Sequence, residues 1–167
     1  MKNLLKSFGY ALEGIICAIK QERNMRIHVV VSLYMFCFLI FFDFFSVTRT
    51  QYAILFVACA CVMMGELINT SLEAAINLIE EKFNENFNAL AKIAKDTAAG
   101  GVLISACFAV AVGINIFWQK AAFIKLISFY KAHIGMLLLL ILSLFVSLVF
   151  IFIGPQKIST LFKKKEK

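Results

Sequence analysis

The sequence predicts an all-α membrane protein, an amphipathic surface helix followed by four membrane spans, and three observations predict it. The 167 residues are 62% apolar, where soluble domains hold roughly half. Eighteen phenylalanines stand against a single proline, Pro155, so little interrupts long helices. The charges do not mix with the apolar residues but sit in blocks between hydrophobic runs, as expected where helices cross a hydrocarbon layer about 30 Å thick.

Residues 2–24 read as a helix lying on the membrane. Leu4, Leu5, Phe8, Leu12, Ile15, Ile16 and Ile19 form an apolar stripe at three- and four-residue spacing, with Lys2, Lys6 and Lys20 on other faces. Glu13, Lys20, Glu22, Arg23 and Arg26 interrupt this stretch, which excludes the uncharged run of a signal peptide. A first span covers about 27–45, closing at Asp43 and the Phe44–Phe45 pair, and Ser46 to Thr50 turn the chain. The second span, 51–79, is apolar from Tyr52 to Gly65 and then carries Glu66, Asn69 and Glu73. Residues 80–97, rich in Asn, Glu and Lys, read as a polar loop. A third span, 98–118, ends at Trp118, an interfacial anchor. Residues 119–132 are amphipathic, and a fourth span, 133–153, precedes Gly154–Pro155 and a basic tail, Lys163–Lys165. The domain division is thus 1–118 and a C-terminal extension, 119–167.

Net charge is +7, but the basic residues gather near the two ends, which suits anionic headgroups and leaves no soluble basic surface for nucleic acid. With the N-terminus inside, thirteen Lys and Arg fall on the cytoplasmic side and four (Arg49, Lys120, Lys125, Lys131) outside, so both termini are expected in the cytoplasm. Cys17, Cys37, Cys59, Cys61 and Cys107 lie within apolar helices and read as small packing residues. His28 and His133, near span starts, read as interfacial polar residues.

The second span carries the chemistry. At 100° per residue Glu66, Glu73 and Asn77 fall within about 40° of one another on the helix wheel, with Asn69 one step aside. If the helix enters the membrane near Gln51, Glu66 lies about 22 Å along it, just inside the far edge of the hydrocarbon, and Glu73 at or beyond that edge. A charge at the bilayer centre costs roughly 2.5–3.5 kcal/mol and less near the edge, and intramembrane acids are functional by default. The hydroxyl of a lipid alcohol resides at that edge, so Glu66 is a candidate general base for it. Glu22, before the first span, and Glu73 could share a divalent cation, since Mg²⁺ favours one or two carboxylates plus substrate phosphates. Lys95, beside Asp96, could meet a phosphate; phosphoryl transfer asks chiefly for positioning and charge neutralisation. No glycine-rich phosphate loop of either common type is present. Two other classes use the same residues differently. A proton-coupled transporter subunit would need its acids nearer the midplane, with an inverted repeat. A non-catalytic scaffold would use Glu66 and Asn69 only to tie helices together.

The run Glu66-Leu67-Ile68-Asn69-Thr70-Ser71-Leu72-Glu73-Ala74-Ala75 resembles the signature of the prokaryotic diacylglycerol kinase family, and Ala91-Lys92-Ile93-Ala94-Lys95-Asp96-Thr97-Ala98-Ala99-Gly100 resembles its following motif. Phe8, Tyr10, Ala11, Gly14, Glu22 and Arg26 match its N-terminal helix, and the likeness covers about residues 5–118. The resemblance implies three core spans with a fourth added here, and a homotrimer with sites between subunits. It implies Glu66 as the base with Asn69 beside it, and Glu22 and Glu73 as Mg²⁺ ligands. Lys95, Asp96 and Tyr10 would lie at the ATP. Asn88 stands where a nucleotide-contacting His is common, and Asn77 where an Asp is usual. The form of the second block resembles the branch acting on undecaprenol more than the branch acting on diacylglycerol, so the expected reaction is ATP-dependent phosphorylation of undecaprenol, with diacylglycerol as the alternative acceptor.

Overall fold

A computed structural model describes the backbone over residues 2–81 and 85–163, with side chains over 4–81 and 89–155. Among the described residues six helices follow in order: α1 (Lys2–Gln21), α2 (Arg23–Phe41), α3 (Arg49–Glu80), α4 (Glu85–Phe117), α5 (Lys120–Ala132) and α6 (Ile134–Lys163). There is no strand among the described residues. Stretches of α2, α3, α4 and α6 are long and apolar enough to cross a membrane: Arg23–Phe41, Arg49–Glu80, Ala89–Phe117 and Ile134–Pro155. Their large apolar side chains, such as Val31, Phe56, Phe108 and Leu138, are more than half exposed to the surroundings. A lipid surrounding satisfies such surfaces, and helices that close their own hydrogen bonds can present them there. The protein is an all-α, multi-pass membrane protein. On α1, Leu4, Leu5, Phe8 and Leu12 are likewise exposed, as the surface-helix reading expects.

One boundary differs in kind from the sequence reading. Residues 85–97, read as part of a polar loop over 80–97, are helical: α3 runs to Glu80 and α4 starts at Glu85. Polar composition hides strong helix formers there, since Ala89, Leu90, Ala91, Lys92 and Ala94 all favour the helix. Ala91, 2% exposed, is packed rather than looped out. The first span also begins earlier, at Arg23, because the chain turns sharply at Glu22 (φ −93°, ψ 121°) and re-enters a helix at once.

By packing, the chain divides into two units, Met1–Thr48 with Ile116–Lys167, and Arg49–Asn115. The extension after residue 118 therefore packs with the N-terminal helices rather than standing apart. In the first unit α6 lies against α2, where the Tyr34 hydroxyl bonds with Ser143 Oγ at 2.9 Å and Ser147 Oγ at 3.1 Å. These two serines sit one turn apart on α6 and meet one tyrosine, the kind of interhelical bond that joins spans in lipid. The other end of the unit is aromatic. Phe42 and Phe44 stack at 5.1 Å, and Phe129 of α5 meets both edge-on at 5.5 and 5.3 Å. His133 stacks on Phe129 at 4.6 Å and packs with this cluster. Gln119 closes the connection, accepting from Ser46 N and donating to Ser46 O, both at 3.0 Å. Tyr130 is buried nearby, and burial pushes its hydroxyl above the usual tyrosine value of about 10.

The second unit is a hairpin of two long helices. At 1.5 Å per residue, α3 and α4 are each close to 50 Å long, well beyond the thickness of a hydrocarbon core. They meet at Gly65, where a Cβ would sit in ordinary contact, 3.7 Å from Val102 Cγ2.

Candidate active site

The buried face of α3 is a single stripe: Leu55, Val62, Glu66, Asn69 and Ile76. Steps of seven, four, three and seven return to one side of a helix. Apolar residues fill its first half, and Glu66 and Asn69 replace them in the second. Glu66 is 2% exposed and Asn69 8%. From Arg49, Glu66 lies about 25 Å along α3 and Glu73 about 36 Å. A helix entering the hydrocarbon at Arg49 thus holds Glu66 just inside the far edge and Glu73 outside it.

These residues form a connected set. Asn69 Nδ2 donates to Glu73 Oε1 at 2.8 Å, an i,i+4 pair across one turn. Asn69 Oδ1 is buried and accepts no hydrogen bond among the described residues, so the amide has acceptor capacity in reserve. Thr70 Oγ1 donates back to the Glu66 carbonyl at 2.9 Å. Asn77, on the same wheel sector, is exposed.

The hairpin brings the second motif alongside the first. Gly65 is level with Val102; eight residues further along α3 stands Glu73, and eight back along α4 stands Ala94. Lys95 therefore emerges level with Glu73, and its ammonium reaches along α3 to form a salt bridge with Glu80, each partner 28% exposed. The sequence reading had no place for Glu80; an acid two turns beyond Glu73 on a continuing helix was the available signal. Such a part-exposed pair is worth at most about 1 kcal/mol, so Lys95 can leave it for a phosphate at small cost. Asp96, next along α4, is exposed.

The remaining candidates stand on other elements. Tyr10 is on α1 and 70% exposed. Glu22 is the corner between α1 and α2, half-buried, and its carboxylate does not cap the helix it precedes. The side chain of Asn88 lies outside the described residues. Glu22 belongs to the first packing unit; Glu66, Asn69, Glu73, Lys95 and Asp96 belong to the second.

Each candidate carboxylate, taken by itself in its own packing unit, is of the kind a hard divalent cation prefers. Glu22 has a carboxylate that caps nothing, and Glu73 has one oxygen held by Asn69, which orients the other. The five cysteines are free thiols, and no cluster of three or more His, Cys, Asp or Glu occurs among the described residues. Two carboxylates with substrate phosphates are the arrangement magnesium takes; a closed protein cage is not required.

A family model described as prokaryotic diacylglycerol kinase matches residues 9–117. A diacylglycerol kinase of Synechocystis sp. is 40% identical over 111 residues, 66% of this chain and 60% of that protein, so the match spans about three fifths of that relative. An undecaprenol kinase of Bacillus subtilis is 31% identical over 121 residues, 72% of this chain and 92% of that protein. A diacylglycerol kinase of Helicobacter pylori is 31% identical over 107 residues, 64% of this chain and 78% of that protein. No solved structure matches. The matched residues contain the Glu66–Glu73 stripe, the Glu22 corner and the Lys95–Asp96 pair, and stop before α5 and α6. With its family model covering most of its length, the chain belongs to the prokaryotic diacylglycerol kinase family of membrane lipid kinases.

Proposed function

We propose that this protein transfers the γ-phosphoryl group of ATP to the hydroxyl of a membrane-embedded lipid alcohol, undecaprenol, at the cytoplasmic face of the cell membrane. The observation that carries the reading is Glu66: a fully buried carboxylate on a helix long and apolar enough to span a membrane, sharing its buried face with Asn69, whose amide bonds Glu73. With the N-terminus placed inside and four spans crossing, thirteen of the seventeen Lys and Arg are counted on the same side as Glu73 and Lys95, which supports the cytoplasm, where ATP is, as that side.

Glu66 takes the proton of the lipid hydroxyl as the oxygen attacks the γ-phosphorus. The bond from that phosphorus to the β–γ bridging oxygen breaks, and ADP departs with the electron pair. Lys95 exchanges Glu80 for phosphate oxygens and offsets their charge. Asn69 holds Glu73 in a fixed orientation, and Asp96, Tyr10 and Asn88 contact the nucleotide. Glu22 and Glu73 would hold Mg²⁺, which when bound neutralises phosphate charge. The active assembly is a homotrimer whose sites are completed between subunits, as the family resemblance implies.

The Bacillus relative named undecaprenol kinase, 92% of whose length is covered, supports undecaprenol as acceptor. The 40% identity to the Synechocystis diacylglycerol kinase favours diacylglycerol as the second reading. Labelled γ-phosphate transfer from ATP to each lipid in mixed micelles separates them. A higher kcat/KM for undecaprenol supports the proposal, and preference for diacylglycerol keeps the mechanism and overturns the acceptor. Transfer to neither, with folded protein and magnesium present, removes the kinase reading.

A further inference from the structure

Arg26 is 6% exposed, a buried cation in the first unit. Among the described residues it pairs with no acid; its donors go to backbone carbonyls. Nε donates to Ile151 O at 3.0 Å, and Nη1 donates to Ile19 O and Lys20 O at 3.1 Å. These carbonyls belong to two helix ends. Ile19 and Lys20 stand in the last turn of α1, which stops at Gln21. Ile151 stands in the last turn of α6 before Gly154 leaves the helix (φ 73°, ψ 155°).

The last four carbonyls of a helix lack intrahelical donors and carry the negative end of its dipole. A planar guanidinium with five fixed donors can serve two such ends at once, where an ammonium offers a single point. Gly154 makes the room. A Cβ there would lie 3.3 Å from Arg26 Cζ and 3.4 Å from both terminal nitrogens, and its positive φ is one that L side chains rarely adopt.

The apex of the corner that Arg26 spans is Glu22. Ile19 and Lys20 lie just before it, and Arg26 follows it by one turn of α2, with Arg26 N facing Glu22 O at 3.4 Å. The angle at which Glu22 is presented is therefore set by the same guanidinium that anchors α6. We propose that Arg26 is a positioning residue for Glu22 and that α6, which lies beyond the residues matched by the family, is the latch that holds Arg26 in place. This rests on Glu22 being a metal ligand. It gives the fourth span a role in the reaction: through Ile151 and Gly154 it fixes one carboxylate of the Mg²⁺–ATP site.

The test uses the full chain and reads three quantities: binding of magnesium with a non-hydrolysable ATP analogue by titration calorimetry, kcat, and thermal unfolding. The variants are Glu22→Gln, Arg26→Ala, Arg26→Lys, Gly154→Ala and Tyr34→Phe. Arg26→Ala and Gly154→Ala are expected to weaken binding at least fivefold each, with the double variant no weaker than the worse single. Arg26→Lys should fall between. Tyr34→Phe, which loosens α6 from α2 away from the corner, should lower the melting temperature and leave binding within twofold. If Arg26→Ala fails to fold, Gly154→Ala and Arg26→Lys decide. Lowered melting with unchanged binding in the Arg26 and Gly154 variants would make Arg26 structural only and overturn the proposal. An effect of Arg26→Ala with none of Gly154→Ala would detach α6. Unchanged binding in Glu22→Gln would remove the metal assignment, and the latch with it.

Discussion

Replacing Asn69 is the perturbation whose size follows most directly from the geometry. Its amide donates to the Glu73 carboxylate at 2.8 Å, and hydrogen bonds to a charged acceptor contribute about 1.5–3 kcal/mol. Asn69→Ala removes the donor and frees Glu73 to rotate. If that energy holds Glu73 in its phosphate-facing orientation, kcat/KM for Mg²⁺–ATP should fall roughly ten- to a hundredfold, at about 1.4 kcal/mol per tenfold. Asn69→Asp should be worse at neutral pH, because it replaces a donor to Glu73 with a second carboxylate that repels it. The assay is steady-state transfer to lipid with ATP varied at saturating magnesium. Activity of Asn69→Ala within twofold of the unmodified protein, or an Asp variant milder than Ala, would refute the reasoning that Asn69 orients Glu73.

Two further predictions concern neighbouring groups. Glu80 holds Lys95 in a salt bridge; Glu80→Gln should free the ammonium and lower KM for ATP by about two- to fivefold, within the energy of such pairs, and a raised KM would instead make Glu80 part of the nucleotide site. Tyr130 has its hydroxyl pKa raised by burial, so its native state keeps the proton more tightly than the unfolded chain does. The resulting stability is fully present below pH of about 10 and lost as pH rises through the folded value. Tyr130→Phe should flatten that alkaline loss in thermal unfolding, and an unchanged slope would assign it to other groups.

The stripe of Glu66, Glu73 and Asn77, with Asn69 one step aside, was legible because it depends only on helical periodicity and on polar residues standing where lipid or core belongs; that Asn69 rather than Asn77 shares the buried face was not. The Asn69–Glu73 bond is its local consequence, four residues apart. The 85–97 segment was misread because charge and Asn content suggested a loop, although propensity favoured a helix; the polar face belongs to a hairpin longer than the membrane is thick. Arg26 was legible as one of a basic cluster and as a match to the family's N-terminal helix, but not in its contacts, since its partner Ile151 lies 125 residues away and no periodicity connects them. Glu80 escaped for the same reason: its pairing with Lys95 exists only once the two helices fold back on one another. Gly154–Pro155 were legible as a break after the fourth span, and the helix does break at Gly154, but the use of that break, room for a guanidinium, belongs to tertiary structure.

The central claim is that Glu66 removes the proton from the lipid hydroxyl. Its direct test is kcat of Glu66→Gln for labelled phosphate transfer, with Mg²⁺–ATP binding measured on the same sample. General-base catalysis contributes about 10²–10⁴-fold, so kcat should fall by at least a hundredfold while nucleotide binding stays within twofold. A kcat within tenfold of the unmodified protein would contradict the account and return Glu66 to a purely structural place in the stripe.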